Sequence, residues 1–228
     1  MPLRLGVLGC GRVFERFHLP AIDHTPSTTL VGAADVEAAR LAWAASRSPR
    51  PALGRSLEEL LAQTDLDALL ILTTPTAHAG LAVQALEAGL HVLVEKPMAL
   101  TVTEGRRMTD VARSRGRLLQ VGLTRRFREP YGRLCARLRD PAAPRPLQAH
   151  FELTFPIVGW NAYSGFLGDG TRGGAPLDDV LSHQVDLLCW CFEAKPDAAR
   201  AEIGQGLRPC IGGHFAVHDS GWHPHGCE

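Results

Sequence analysis

Short apolar runs alternate with amphipathic stretches over the first 123 residues of this 228-residue chain. Helices are predicted where the apolar period is near 3.6, and strands where short apolar runs stand between turn residues. The predicted strands are Leu3–Leu8, Thr28–Ala34, Ala68–Leu72, His91–Val94 and Leu118–Val121, and the predicted helices lie over residues 12–24, 36–46, 57–62, 76–88 and 101–115. This β-α-β-α order indicates an α/β fold with a doubly wound parallel sheet, which carries ligands at the carboxyl ends of its strands.

Local residues refine several of these elements. Ser56 is placed to cap the helix over 57–62, with Glu59 at the capping-box position. Pro20 lies inside the first predicted helix and predicts a kink or a break there. Pro49 and Pro51 predict a loop between the second helix and Ser56.

The pattern changes after Gly122. Beyond it, Arg125–Arg139 predicts a basic helix or a linker, Leu147–Val158 an extended strand, and Leu177–Phe192 a further helix. Residues 194–228 hold 9 Gly or Pro among 35 positions and keep no period of 2 or 3.6. We therefore predict a Rossmann domain over 1–123, the start of an incomplete α+β second domain over 124–193, and a disordered tail over 194–228.

The composition excludes several classes of protein. Hydrophobic residues make up 45% of the chain, and 24 Lys and Arg balance 24 Asp and Glu. This excludes a disordered chain, and it gives no net field that would attract nucleic acid or an anionic membrane. Apolar runs such as Ala68–Leu72 are far shorter than the ~20 residues that span a bilayer, and the N-terminus lacks the layout of a signal peptide. We expect a soluble, cytoplasmic protein.

The six cysteines show no paired CxxC spacing, so we expect reduced thiols. Cys189 and Cys191 lie two apart on a predicted helix and do not face one another, which favours thiols within a core. Cys210, Cys227 and the four histidines over residues 214–225 have spacings that match no zinc signature. The sequence therefore predicts no metal site.

Gly9 and Gly11 directly follow the first strand and open a helix. Glycines there allow a tight turn and let backbone N–H groups approach a pyrophosphate. The third fingerprint position is Phe14 rather than Gly or Ala, and the bare pattern also fits an ordinary strand-to-helix turn. Asp35 ends the second strand, where a carboxylate can bind a ribose 2′-hydroxyl and repel a 2′-phosphate, although alone it also fits a helix N-cap. Together these residues favour nucleotide binding.

Two further segments follow the strands Ala68–Leu72 and His91–Val94, at the same edge of the sheet. They are Thr73-Thr74-Pro75 and Glu95-Lys96-Pro97. Lys96 is one of two lysines beside 22 arginines, and a partly desolvated lysine can lose its proton whereas arginine cannot. Alone, the Glu-Lys dipeptide fits an ordinary surface ion pair.

Asp179, His183 and Asp186 are spaced i, i+4, i+7 and share one face of the last predicted helix. Proton transfer at a carbinol needs a group that titrates near neutral pH, and a carboxylate one turn away can fix the tautomer of a histidine. The spacing alone favours an ordinary histidine on a helix face with acidic neighbours.

Four segments resemble, in order, those of the glucose–fructose oxidoreductase/inositol dehydrogenase (Gfo/Idh/MocA) family. They are GVLGCGRVFERFHLPAI, ILTTPTAHAGLAVQALEAGLHVLVEKPMALT, VGLTRRF and GGAPLDDVLSHQVDLLCW, and the resemblance covers roughly residues 3–193. It is most specific where the EKP segment is combined with the D-x-x-x-H-x-x-D pattern. It implies an oxidoreductase that uses NAD, with NADP possible, and acts on the CH–OH group of a sugar, inositol or related polyol.

The resemblance also implies roles for individual residues. In the second domain His183 would be the general acid/base, Asp179 would orient it or bind substrate, and Lys96 of the Rossmann domain would bridge substrate and cofactor ribose. Contacts with the cofactor are implied for Gly9, Cys10, Gly11, Arg12 and Val13 at the pyrophosphate, Asp35 at the adenosine ribose, Thr73, Thr74, Pro75 and His78 along the cofactor, and Glu95 and Lys96 near the nicotinamide.

Family members continue with further strands, which form the sheet that shapes the substrate pocket and usually the oligomer interface. We therefore expect a truncated chain in which Leu147–Val158 is an exposed edge and the homo-oligomer of the family is doubtful. The expected partner is a small sugar or polyol, with no nucleic acid and no membrane. The alternative to an enzyme is a catalytically impaired nucleotide-binding fragment or a sugar-sensing regulatory protein of the same family.

Overall fold

The computed structural model describes residues 1–47, 49–143 and 176–193, with the side chains of 176–180 left out. These residues belong to two compact units, one over residues 1–122 and one that begins at Leu123. The predicted strand Leu147–Val158 and the tail 194–228 lie outside the described residues. No helix in the described ranges has the length and apolar character needed to cross a bilayer.

The first unit contains a six-stranded parallel sheet in the order β3-β2-β1-β4-β5-β6. The order reverses between β1 and β4, and this switch point opens the crevice where such sheets bind ligands. The predicted α/β doubly wound parallel sheet is therefore confirmed. The strands are β1 (Leu3–Leu8), β2 (Thr28–Ala34), β3 (Ala52–Gly54), β4 (Ala68–Ile71), β5 (His91–Val94) and β6 (Leu119–Val121).

Helices cover both faces of this sheet because successive side chains of the buried strands point to opposite sides. Along β4, Leu69 and Ile71 join the core on one face, while Leu70 joins the core on the other. The helices of this unit are α1 (Leu19–Asp23), α2 (Ala42–Ala45), α3 (Leu57–Leu61), α4 (Pro75–Glu87) and α5 (Val102–Arg115).

The start of α3 follows its predicted N-cap, and the structure shows further caps at both ends of α5. Ser56 Oγ accepts a hydrogen bond of 3.3 Å from the Glu59 N–H at the start of α3. Thr101 and Glu104 form a reciprocal capping box at the start of α5, which ends at Gly116 with φ +60°. These local interactions satisfy backbone groups that a helix leaves without internal partners.

The structure differs from the predicted elements in two places. The first predicted helix is a π-helical turn, Phe14–His18, followed by α1, whose second residue is Pro20. The helix predicted over 36–46 is a 3-10 turn over 38–41 followed by α2. Helical periodicity does not distinguish these variants here, because segments of four or five residues are too short to show the different numbers of residues per turn.

The short strand β3 lies close behind the predicted Pro-rich loop and was not predicted. Three residues are too few to show a period, and β3 exists because Ala52 to Gly54 pair with Gly32 to Ala34 of β2.

Phe14, the large residue at the third fingerprint position, is completely buried, and its ring centroid lies 5.0 Å from that of Trp43. Helix packing at the first turn is therefore built around an aromatic pair.

The described part of the second unit is helical. A 3-10 turn, Thr124–Phe127, precedes α6 (Glu129–Arg139), which packs against α7 (Pro176–Phe192). Cys135 of α6 and Cys191 of α7 are joined by a disulfide in the core between the two helices, next to the buried Leu187. The prediction of reduced thiols is wrong for this pair, because sequence spacing cannot show that residues 56 positions apart meet.

Candidate active site

The phosphate-binding turn is fixed by glycine at two positions. Gly9 has φ +93°, and its N–H donates to the Ala34 carbonyl oxygen at 2.9 Å. A Cβ at Gly9 would lie 2.7 Å from the Leu72 carbonyl group, so the turn passes against the end of β4. Among the described residues, a Cβ at Gly11 would meet only a guanidinium nitrogen of Arg40, at 3.8 Å, which leaves space for a ligand against the backbone.

A dinucleotide fits this turn for a second reason. Helix N-termini offer their first-turn amides to phosphate oxygens, and Arg12 and Val13 occupy the first helical positions after Gly11. The Cys10 thiol is buried and faces the Ala34 carbonyl, so contact between Cys10 and a cofactor stays a prediction. Burial and the nearby Asp35 charge raise the pKa of the Cys10 thiol to about 12, so it stays protonated near neutral pH.

Asp35 anchors the turn to the end of β2. One carboxylate oxygen accepts the Cys10 N–H at 2.8 Å, and the other accepts the Glu37 N–H at 2.9 Å. The side chain is only 3% exposed, with a guanidinium nitrogen of Arg40 at 3.7 Å. The sequence predicted a ribose ligand or an N-cap at this position. The structure adds an anchoring role, and contact with the ribose stays a prediction.

Arg40 is a neighbour of the turn that sequence analysis missed. Its guanidinium group also lies 2.9 Å from the Glu37 carboxylate, and the side chain is 45% exposed. No local pattern distinguishes Arg40 among the 22 arginines, and only its position beside Gly11 and Asp35 marks it. It places a positive charge near the predicted adenosine-ribose site.

His78 connects two loops at the carboxyl edge of the sheet. Its Nδ1 lies 2.8 Å from the Pro97 carbonyl oxygen, and its Nε2 lies 3.1 Å from the Thr73 carbonyl oxygen. Burial lowers the pKa of His78, although both carbonyl groups favour its cation. Thr74 is the N-cap residue of α4, and Pro75 is its first helical residue. His78 therefore joins the two segments that were predicted to border the cofactor.

Glu95 follows β5 and faces a residue that was not predicted. One carboxylate oxygen lies 2.9 Å from Nε2 of His18, and the other accepts the Lys96 N–H at 3.2 Å. The Lys96–Pro97 peptide is cis. The hydrophobic pattern of its segment does not distinguish His18 from its neighbours, so the sequence alone assigned it no role.

His183 lies half-buried on α7 of the second unit. Asp186, one turn further along, binds Nε and Nη2 of Arg126 with both carboxylate oxygens, the Nε contact measuring 2.8 Å. Arg126 also lies over the Trp190 ring, 5.7 Å from its centroid. Arg126, which sequence analysis missed, therefore ties the Thr124–Phe127 turn to the helix that carries His183. The side chain of Asp179 is outside the described part of the structure.

The first unit thus brings most of the predicted cofactor residues to one edge of its sheet. His183 and Asp179 lie on α7 of the second unit. Among the described residues, no group of three His, Cys, Asp or Glu side chains could hold a metal ion. The switch-point crevice, the glycine turn and the acidic residue at the end of β2 define a Rossmann protein built for a dinucleotide.

Comparison with known proteins identifies the family. Residues 3–123 match the oxidoreductase family with an NAD-binding Rossmann fold. The chain belongs to this family, Gfo/Idh/MocA, and its matched domain is the NAD-binding domain. Both the sequence resemblance and the expected cofactor, NAD with NADP possible, are thereby confirmed.

Relatives with assigned activities match most of this chain. It is 31% identical to inositol 2-dehydrogenase 2 of Paenarthrobacter aurescens (strain TC1) over 223 residues, which cover 90% of this chain and 62% of the relative. It is 27% identical to scyllo-inositol 2-dehydrogenase (NAD(+)) of Bacillus subtilis (strain 168), covering 94% and 58%. The chain therefore spans about 60% of the length of these curated relatives.

Solved structures give the same fold. The WlbA dehydrogenase from Bordetella pertussis, in complex with NADH and UDP-GlcNAcA, has a TM-score of 0.70 at 28% identity, covering 86% of this chain and 56% of that one. The myo-inositol 2-dehydrogenase from Lactobacillus plantarum has a TM-score of 0.73 at 23% identity, covering 86% and 58%. At 23% identity, the similarity to the Lactobacillus plantarum enzyme shows a shared fold and nothing more.

Proposed function

We propose that this protein is an NAD(P)-dependent oxidoreductase that interconverts a CH–OH group of a sugar, inositol or related polyol and the corresponding ketone. The observation that carries the proposal is the open backbone turn at Gly11, anchored by Asp35 on the same sheet edge as Lys96. Family membership and the inositol dehydrogenases among the relatives support the substrate class. A small polyol or sugar is the proposed partner, and the cytoplasm the proposed location.

The proposed chemistry divides between the cofactor and the chain. Bound NAD supplies the hydride acceptor at the nicotinamide C4, and the chain must take the hydroxyl proton of the same carbinol. His183 is the proposed general base in this direction and the general acid in reverse. Asp179 holds its tautomer or binds substrate, and Lys96 contacts the substrate oxygen and the cofactor ribose with its ammonium group.

A second candidate function is nucleotide binding without turnover. The observation in its favour is that the family match over residues 3–123 covers the NAD-binding domain, whereas the proposed proton acceptor His183 lies outside it. The homo-oligomer implied by the family stays a prediction under either function. A turnover assay of the purified 228-residue chain with inositols and sugars, which follows NADH absorbance, separates the two candidates. Turnover supports the enzyme, binding of NADH without turnover supports the second function, and absence of both contradicts both.

We expect the protein to bind NAD about tenfold or more tightly than NADP, because the Asp35 carboxylate repels a 2′-phosphate. Asp35→Asn removes the charge while keeping an oxygen that can accept a backbone N–H, and it should reduce the difference in affinity between NAD and NADP. Asp35→Ser should narrow it as well. Calorimetric titration of both cofactors measures the ratio.

The matched control for this prediction is Asp110→Asn, an exposed carboxylate on α5, which should leave the ratio unchanged. Arg40→Met should increase the preference for NAD over NADP, since the Arg40 cation beside Asp35 offsets part of the repulsion between Asp35 and a 2′-phosphate. Equal affinity of the unaltered protein for the two cofactors would contradict the role of Asp35.

A further inference from the structure

A histidine–carboxylate pair spans the switch-point edge of the sheet. His18 ends the π-helical turn after β1, Glu95 follows β5, and β4 lies between those strands in the sheet. His18 Nε2 and Glu95 Oε1 are 2.9 Å apart, and the two side chains are 16% and 17% exposed. A contact this short between largely buried groups is a charge-assisted hydrogen bond, in which His18 donates.

The Glu95 carboxylate also lies close to the backbone after β6. A Cβ on Gly122 would lie 3.2 Å from the carboxyl carbon and from both oxygens, so a larger residue there would push the carboxylate by a few tenths of an ångström. The second oxygen accepts the backbone N–H of Lys96. The Glu95 carboxylate therefore has a set position directly beside Lys96.

The electrostatics of this pair extend to the Lys96 ammonium group. Burial favours the neutral acid, but the hydrogen bond and charge of His18 and the charge of Lys96 outweigh it, so the pKa of Glu95 lies below its usual range. Within the described ranges, the titratable groups whose charges act on or respond to this carboxylate include His18 from the π-helical turn, Lys96 next in the chain and His78 from α4. Glu95 is thus an anion that interacts with His18 through one oxygen and with Lys96 through the other.

We propose that His18 is a positioning residue that acts on Lys96 through Glu95. By donating to the Glu95 carboxylate, which also accepts the Lys96 N–H, His18 holds that charge beside Lys96 and so tunes the proton affinity of the Lys96 ammonium group. The proposal deepens the proposed function, since it rests on the role given there to Lys96. His18 itself needs no contact with substrate or cofactor.

The proposal predicts opposite effects from the two partners. Without the His18 donor, the carboxylate charge acts more fully on Lys96 and raises its pKa. Without the Glu95 charge, the pKa of Lys96 falls. A merely structural His18 would not produce this opposition. His18→Gln keeps an N–H donor near the position of Nε2, so it should lie close to the unaltered protein.

The chain contains only two lysines, which allows a direct measurement. In a Lys195→Arg background, Lys96 is the single lysine, and carbon-13 labelling at Cε gives one NMR signal to titrate in the full 228-residue protein. We expect the midpoint to rise by about half a pH unit or more in His18→Leu and to fall by a similar amount in Glu95→Gln. His24→Leu, an exposed histidine at the end of α1, is the matched control and should leave the midpoint unchanged.

An unchanged midpoint in His18→Leu would overturn the proposal. If His18→Leu does not fold, His18→Asn replaces it, because its shorter side chain cannot bring an N–H to the Glu95 oxygen. A midpoint that rises in His18→Asn but not in His18→Gln supports the proposal, and equal midpoints in the two variants overturn it. Fluorescence titration of the same samples with NADH tests the proposed function separately, because a chain that fails to bind NADH still yields the Lys96 titration.

Discussion

His183→Ala is expected to lower kcat about 10²–10⁴-fold while leaving NADH affinity within a few fold, because general acid–base groups contribute factors of this size. His183 is the proposed proton acceptor and lies on α7 of the second unit, whereas the phosphate-binding turn belongs to the first. Asp186 on the same helix is already bound by Arg126, which leaves Asp179 as the proposed orienting carboxylate. Steady-state kinetics with the polyol that gives the highest turnover, combined with NADH titration, measures both quantities.

The matched control for this experiment is His24→Ala, which removes an exposed histidine whose Nδ1 contacts the Pro20 carbonyl. It should leave kcat and NADH affinity unchanged. A His183→Ala protein with near-normal kcat would show that Lys96 or water transfers the proton. A large loss of NADH affinity would instead indicate that His183 supports cofactor binding.

Gly9→Ala is expected to destabilise the first unit by about 2–4 kcal/mol and to abolish measurable NAD binding. The residue has φ +93°, which strains any L side chain, and its Cβ would lie 2.7 Å from backbone atoms of Leu72 that no rotamer change can move. Relieving this clash requires the turn to move away from β4, and the movement would displace the amides that are predicted to approach the pyrophosphate. Hydrogen exchange of the β1 and β4 amides measures the stability of this unit by itself.

Gly80→Ala provides the opposite control. Gly80 lies in the interior of α4, and a Cβ there would meet no atom of the part of the chain that the structure describes within 4 Å. Alanine in an exposed helix interior is favoured over glycine by about 0.5–1 kcal/mol, so this variant should be slightly more stable. A Gly9→Ala protein as stable as Gly80→Ala would contradict the structural account of the turn.

Local patterns in the sequence were enough to predict most of the sheet. Strands β1, β2, β4 and β5 are buried or half-buried over most of both faces, so each is a largely apolar run with turn residues at its end. The N-cap that Ser56 provides for α3 acts over three positions and is equally local. Strand β3 was missed because three residues carry no period, and its strand conformation depends on pairing with β2.

Some residues of the candidate site could likewise be predicted from the sequence, whereas their long-range contacts could not. The sequence by itself determined the glycine turn, the acidic residue at the end of β2 and the segment that contains Lys96, since each follows a strand whose end is visible in the apolar pattern. Only the tertiary structure decided that Asp35 binds the Cys10 amide, that His18 meets Glu95 and that Arg126 meets Asp186. These partners lie 25, 77 and 60 residues apart, and such contacts arise from strand order and helix packing, which leave no periodic trace along the chain.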